Sequence, residues 1–221
     1  MTILCVRPRI WIVALVSLMS LESKAAFAQF EPSCVENSPE RRGEIGCSIV
    51  EIKPVLATLK APLFWHIDRF ASSEKAKAAV GPTSVALDAH GASWLLSIES
   101  LTNDHHGGEH VAQVDLPALP PAAKYSMLVI SAYIPAGMTS RFHLHSGVEA
   151  FYTVDGEQCL ETPTVAYKMP TGGSFAIAAG VPMRLVATGS TPRRALAIIV
   201  YDAAQPPTTR METEPTLVSC K

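Results

Sequence analysis

Beyond residue 47 the chain is a succession of short apolar runs cut by Gly, Pro, Asp and Asn. Ser48–Ile52 and Leu63–Ile67 come first, then Ser84–Asp88, Ser93–Ile98 and His110–Val114. After a proline-rich stretch, Leu116–Ala123, the runs come faster: Tyr125–Ile134, Phe142–His145, Glu149–Val154, Glu157–Glu161, Val165–Lys168, Ser174–Ala178, Met183–Ala187 and Arg193–Tyr201. Short runs of this composition bounded by turn formers predict strands. So many at such short spacing predict an all-β barrel or sandwich. Arg193–Tyr201 reads as a buried final strand. One segment breaks the pattern: in Ser72–Val80, Ser72 or Ser73 can cap a helix that Gly81-Pro82 stops.

The proline-rich stretch reads either as a domain boundary or as a linker within one fold. The single fold is preferred, because residues 48–115 are too few for a separate barrel and hold no second copy of the histidine motif described next. The expected organisation is an N-terminal loop at 29–47 and one domain over 48–205, with its core at 125–201 and an extension at 48–115. A tail, 206–221, begins at Pro206-Pro207 and is expected to run over the surface.

His143 and His145 stand two apart in a strand-like run, so they point to one face while Phe142 and Leu144 point to the other. Ser146-Gly147 ends that run. Glu149 opens the next, which closes on Asp155-Gly156, a hairpin signal. A turn between the two runs brings Glu149 beside the imidazoles. Two neutral nitrogens and one carboxylate on one wall suit Zn, Fe, Mn, Ni or Cu.

The complete spacing, Gly137-x5-His143-x-His145-x3-Glu149-x6-Gly156, resembles the first signature of the cupin superfamily, small double-stranded β-helix barrels. A stretch similar to the second signature follows: Gly172-x5-Ala178-x-Gly180-x2-Met183-x3-Ala187. Gly172 and Gly180 match it. Ala178 stands in place of a proline, Ala187 in place of an asparagine, and Met183 in place of the histidine that supplies a fourth metal ligand. The resemblance covers about residues 125–201. It implies a cupin jelly-roll barrel with extra N-terminal strands, a pocket for a small-molecule ligand or substrate, one divalent metal ion on His143, His145 and Glu149, and room for a homodimer, as in many cupins. Those three ligands are similar to the facial set of two histidines and one carboxylate, which leaves positions open.

Met183 admits two roles: a soft thioether ligand suited to Cu(I), or an apolar side chain packed in the wall. Two function classes stay open with it. One is a small metalloenzyme of oxygenase, isomerase or lyase type; the other is a metal-free cupin that binds a small molecule without catalysis. The sequence names no catalytic residue. Met183, His110, Tyr152 and Arg184 are candidates for the pocket wall. The His-rich stretch Asn103–His110 reads as a loop that covers the barrel mouth and donates His110, or His105 and His106, to a ligand. It also reads as an exposed polar turn, which Gly107-Gly108 favours.

Residues 1–28 look like an export signal: Arg7 and Arg9, an apolar Ile10–Leu21, and Ala26-Phe27-Ala28 before Gln29. The apolar run is shorter than the roughly 20 residues of a membrane span. Cleavage after Ala28 leaves no stable span and yields a periplasmic or secreted protein. The full chain carries 18 basic and 20 acidic residues; losing Arg7, Arg9, Lys24 and Glu22 brings the balance to −4. That charge, without clustered Lys and Arg, excludes a nucleic-acid surface. Cys34, Cys47, Cys159 and Cys220 remain, an even count that in an exported chain predicts two disulfides; of the three connectivities, Cys34–Cys47 and Cys159–Cys220 are expected.

Overall fold

The computed structural model describes residues 35–36, 46–55, 57–100 and 107–220. Its centre is a six-stranded sheet, in spatial order β1 (Val35–Glu36), β2 (Gly46–Pro54), β7 (Tyr125–Ile134), β14 (Arg193–Asp202), β9 (Val148–Asp155) and β12 (Ser174–Ile177). One face meets a three-stranded sheet of β11 (Ala166–Pro170), β10 (Glu157–Glu161) and β13 (Arg184–Ala187). A two-stranded ribbon of β8 (His143–His145) and β15 (Thr208–Arg210) adjoins that sheet through a bridge between His143 and Met183. These elements form the all-β cupin double-stranded β-helix. The other face of the central sheet is covered by the extension, a four-stranded sheet of β4 (Ser84–Ala89), β5 (Ala92–Glu99), β3 (Leu63–Phe70) and β6 (Glu109–Leu116).

Alternation along the central strands divides their side chains between two cores. In β7, Met127 and Val129 join Trp65, Ile67, Trp94 and Leu96 of the extension. Their neighbours Leu128, Ile130 and Ala132 join Leu160, Met169 and Leu185 inside the barrel. In β14, Leu196, Ile198 and Val200 take the first core, and Ala197, Ile199 and Tyr201 the second. A sheet covered on both faces needs apolar residues at every position, which is why these strands read as unbroken apolar runs.

The helix α1 spans Ser73–Ala78; Ser72 Oγ caps it by accepting from the Lys75 N–H at 3.4 Å, and Ala76 buries its inner side against Phe70 and Leu95. Cys159 and Cys220 form a disulfide, with Cα atoms 6.3 Å apart. Cys47 is disulfide-bonded too, while Cys34 lies outside the described residues, as do the whole of segment 1–28, His105 and His106.

The shared core predicts how the chain unfolds. Trp65 and Trp94, the two tryptophans beyond residue 28, both sit between the extension and the barrel. Their fluorescence and far-UV circular dichroism should therefore change at one denaturant midpoint. Ile198→Ala should lower both together, at a cost of about 2–5 kcal/mol. Two separated transitions would show that the extension and the barrel fold independently.

Candidate metal centre

The strand β8 is only three residues long, and its burial alternates: His143 and His145 point inward while Leu144 is half-buried on the outer side. His143 is held in register by two hydrogen bonds with Met183, N–H to O at 3.2 Å and 2.8 Å. The chain then turns sharply through Ser146-Gly147. A Cβ on Gly147 would run into the carbonyl oxygen of Val200, so only glycine lets the turn lie this close to β14. Glu149 follows on β9, opposite Ile199 on one side and Ile177 on the other. Its parity places it inside the barrel with Phe151. All three side chains are buried, with relative exposures of 7%, 5% and 4% for His143, His145 and Glu149.

Their hydrogen bonds determine which atoms face inward. His143 Nδ1 lies 2.8 Å from the carbonyl oxygen of Arg141. His145 Nδ1 lies 3.0 Å from the carbonyl oxygen of Pro207 and 3.0 Å from Thr208 Oγ1. A carbonyl only accepts, so each Nδ1 carries the proton and donates. That leaves each Nε2 with a lone pair, the tautomer a metal ligand needs. Possible ligand atoms of His143, His145 and Glu149 lie within 4.8 Å of one another.

Two of these atoms are orphaned. His145 Nε2 and Glu149 Oε2 are buried and lack a geometrically sound hydrogen bond among the described residues, although they lie 2.9 Å apart. A buried carboxylate oxygen and a buried imidazole nitrogen left unmatched are costly unless a cation or proton joins them. Burial pulls the pKa of His143 below the ordinary histidine value, and the adjacent His145 adds to this. Burial also opposes charging of His145, but the Glu149 carboxylate outweighs it and raises that pKa. The donor set thus fits a divalent ion: two neutral nitrogens held by their far sides, and one anionic oxygen.

The site opens on a cavity of about 400 Å³. Leu128, Ile130, Ile134, Phe151, Leu185 and Ala197 supply most of its apolar wall. Two features of it escape the sequence pattern. The tail does not merely cross the surface: β15 pairs with β8 in the register Thr208–His145 and Arg210–His143, and Pro207, Thr208 and Arg210 line the cavity. The tail is anchored beyond by the Cys159–Cys220 disulfide and by Glu161, whose Oε1 accepts from Ser219 Oγ at 3.1 Å and from the Cys220 N–H at 3.2 Å. The second feature is Arg193, a fully buried cation on the cavity wall.

The four pocket candidates lie elsewhere. Met183 shares the face of His143 but is packed wholly in the barrel core and is not on the cavity wall. Arg184, one residue on, faces outward and pairs with Glu161, Nη2 to Oε2 2.6 Å. Tyr152 stands three positions from Glu149, hence on the opposite face of β9, against Trp94. With His110 it lines a separate cavity under the extension, and His110 Nδ1 lies 3.0 Å from Asp68 Oδ1.

Residues 130–199 match the family model for the cupin domain. Over that stretch the chain is similar to the cupin domain. Similar solved structures include a cupin-like protein from Thermotoga maritima, at 15% identity over 38% of this chain and 64% of that one, with a TM-score of 0.36. The formate complex of oxalate decarboxylase from Lactobacillus farciminis aligns at 15% identity over 39% of this chain and 26% of that one, TM-score 0.33. Salicylate 1,2-dioxygenase from Pseudoaminobacter salicylatoxidans, with gentisate, aligns at 18% identity over 33% and 20%, TM-score 0.31. The chain therefore spans less than two thirds of each of these proteins. Comparison with curated proteins yields no match.

The tail gives a prediction. Cys220→Ser releases its far end, and with it the grip of Pro207 and Thr208 on His145. Loss of such an outer tether should weaken metal binding by roughly 10–100-fold, read by competition with a chromophoric chelator. An unchanged affinity would mean that β15 holds its place without the disulfide.

Proposed function

We propose that this protein is a metal-binding cupin that takes a small organic molecule into its barrel. His143 Nε2, His145 Nε2 and Glu149 would hold one divalent ion, drawn from Fe, Mn, Zn, Ni and Cu, the metals these donors suit. The observation that carries the reading is the pair of tethered imidazoles beside a buried carboxylate oxygen, 2.9 Å from His145 Nε2. When bound, such an ion supplies Lewis acidity and a template for orienting a ligand. The chain's own residues do the rest. The carbonyls of Arg141 and Pro207 hold the rings, Glu149 balances charge, and the apolar wall keeps water away from a bound molecule. A reaction of oxygenase, isomerase or lyase type is the finer reading.

One observation favours a second reading. His145 and Glu149 lie close enough to share a proton and compensate each other without metal, and Met183 offers no fourth nitrogen. In that reading the barrel is a metal-free pocket that binds without catalysis. Reloading the purified protein with Mn, Fe, Ni, Cu and Zn in turn, followed by elemental analysis, separates the two. Near-stoichiometric metal in wild type that is lost in His145→Ala is expected; no retention of any ion would leave the metal-free reading.

The pH dependence follows from the imidazoles. Protons compete with metal for Nε2, and the raised pKa of His145 makes that competition begin above the ordinary histidine value of 6.5. Metal affinity should fall as pH is lowered through the histidine range, beginning above the ordinary histidine value, and level off at higher pH, once His145 is neutral. A flat profile across that range would contradict ligation by His145.

Export to an oxidising compartment belongs to the same proposal. The disulfide between Cys159 and Cys220 and the signal-like residues 1–28 support it. Intact mass of the protein recovered from outside the cytosol should correspond to Gln29–Lys221. A mass that retains residues 1–28 would refute cleavage.

A further inference from the structure

Arg193 is the least expected residue in the barrel. It opens β14 opposite Ile134, and the alternation that sends Ala197 and Ile199 inward sends Arg193 inward as well. It is 2% exposed, the second of the largest fully buried side chains after Trp65. Its Nε has no hydrogen-bond partner among the described residues. Arginine cannot shed its charge as a buried lysine does. Burial draws its pKa down to about 10, so it stays a cation at neutral pH. The opposing charge it feels is that of Glu149, which already faces His145 at 2.9 Å.

Among the described residues one carboxylate, that of Glu149, lines the cavity with the buried Arg193, and His145 already lies 2.9 Å from it. A divalent ion on the histidines would draw on Glu149 and leave Arg193 less compensated still. An uncompensated buried cation is among the costliest features a fold can carry.

Arg193 and Glu149 stand well apart along the barrel. Glu149 pairs with Ile199, six positions along β14 from Arg193, which is roughly 20 Å of strand at about 3.3 Å per residue. Between the two ends the wall is apolar.

We propose that the cavity is a site for an amphiphilic carboxylic acid: Arg193 receives the carboxylate, the apolar wall holds the skeleton, and the other end of the molecule lies toward His143, His145 and Glu149. A planar guanidinium meets a carboxylate through two parallel hydrogen bonds. One cation in an apolar chamber suits a monoanion with a hydrocarbon body better than a phosphate dianion, which needs several donors. This deepens the reading above and rests on it for the identity of the ligand chamber, but it does not require the metal.

The test uses the mature chain, as purified and after metal loading, with 4-phenylbutyrate, its neutral amide and phenyl phosphate as probes. Calorimetry should show the carboxylate binding at least tenfold more tightly than the amide. Arg193→Met should erase that preference while elemental analysis shows metal content unchanged. Arg193→Lys should keep only part of it. The melting temperature of Arg193→Met, free of ligand, should equal or exceed that of wild type, because a buried cation is exchanged for an apolar side chain of similar length. A drop in melting temperature, with the carboxylate preference intact in any folded variant, would make Arg193 a structural residue and overturn the proposal. Equal binding of amide and carboxylate by wild type, or tighter binding of phenyl phosphate, would overturn it too. Carboxylate binding lost in Arg193→Met in a protein that retains no metal would instead uphold this inference and refute the metal.

Discussion

A sheet buried on both faces allows no neutral position. Each residue of β7, β9 and β14 enters either the barrel or the core beneath the extension, and its parity decides which. On β9 this sends Glu149 and Phe151 into the barrel and Ala150 and Tyr152 out of it. On β14 it sends Arg193 in, buried on the cavity wall. The extension closes the outer core over the strands that carry the site.

The centre then depends on backbone carbonyls at a distance in sequence. Arg141 holds one imidazole from the same loop, while Pro207 holds the other from across 62 residues. Both contacts fix the proton on Nδ1 and turn Nε2 toward Glu149. Because Pro207 belongs to a tail that a disulfide fastens to β10, the orientation of a buried ligand is tied to a covalent link near the end of the chain. The chamber so formed combines hydrocarbon walls with the buried guanidinium of Arg193.

Much of this was legible in the sequence. The strands, the capped helix and the trio His143, His145 and Glu149 all follow from periodicity, turn residues and spacing. What was not legible divides by physical cause. Tyr152 and Arg184 were placed by nearness in sequence to the motif, although a count of parity from Glu149 and from Met183 turns both away from the chamber. His110 lies beyond the central sheet, and no local pattern reveals on which side of a sheet an extension docks. Pro207 and Thr208 sit among residues typical of a loose tail, and β15 is exposed along its length, so only tertiary pairing makes Thr208–Arg210 a strand. Arg193 carried a signal that was there to be read: an arginine in phase with the inward residues of an otherwise apolar strand.

Diffraction at the absorption edge of the loaded metal tests the central claim most directly. Crystals of the protein loaded with manganese or zinc should give a single anomalous peak within ligand distance, about 2.0–2.2 Å, of Nε2 of His143, Nε2 of His145 and a carboxylate oxygen of Glu149, with both Nδ1 atoms still on the carbonyls of Arg141 and Pro207. A peak elsewhere, or an empty chamber in which His145 and Glu149 keep their 2.9 Å contact in the presence of excess metal, would contradict the account.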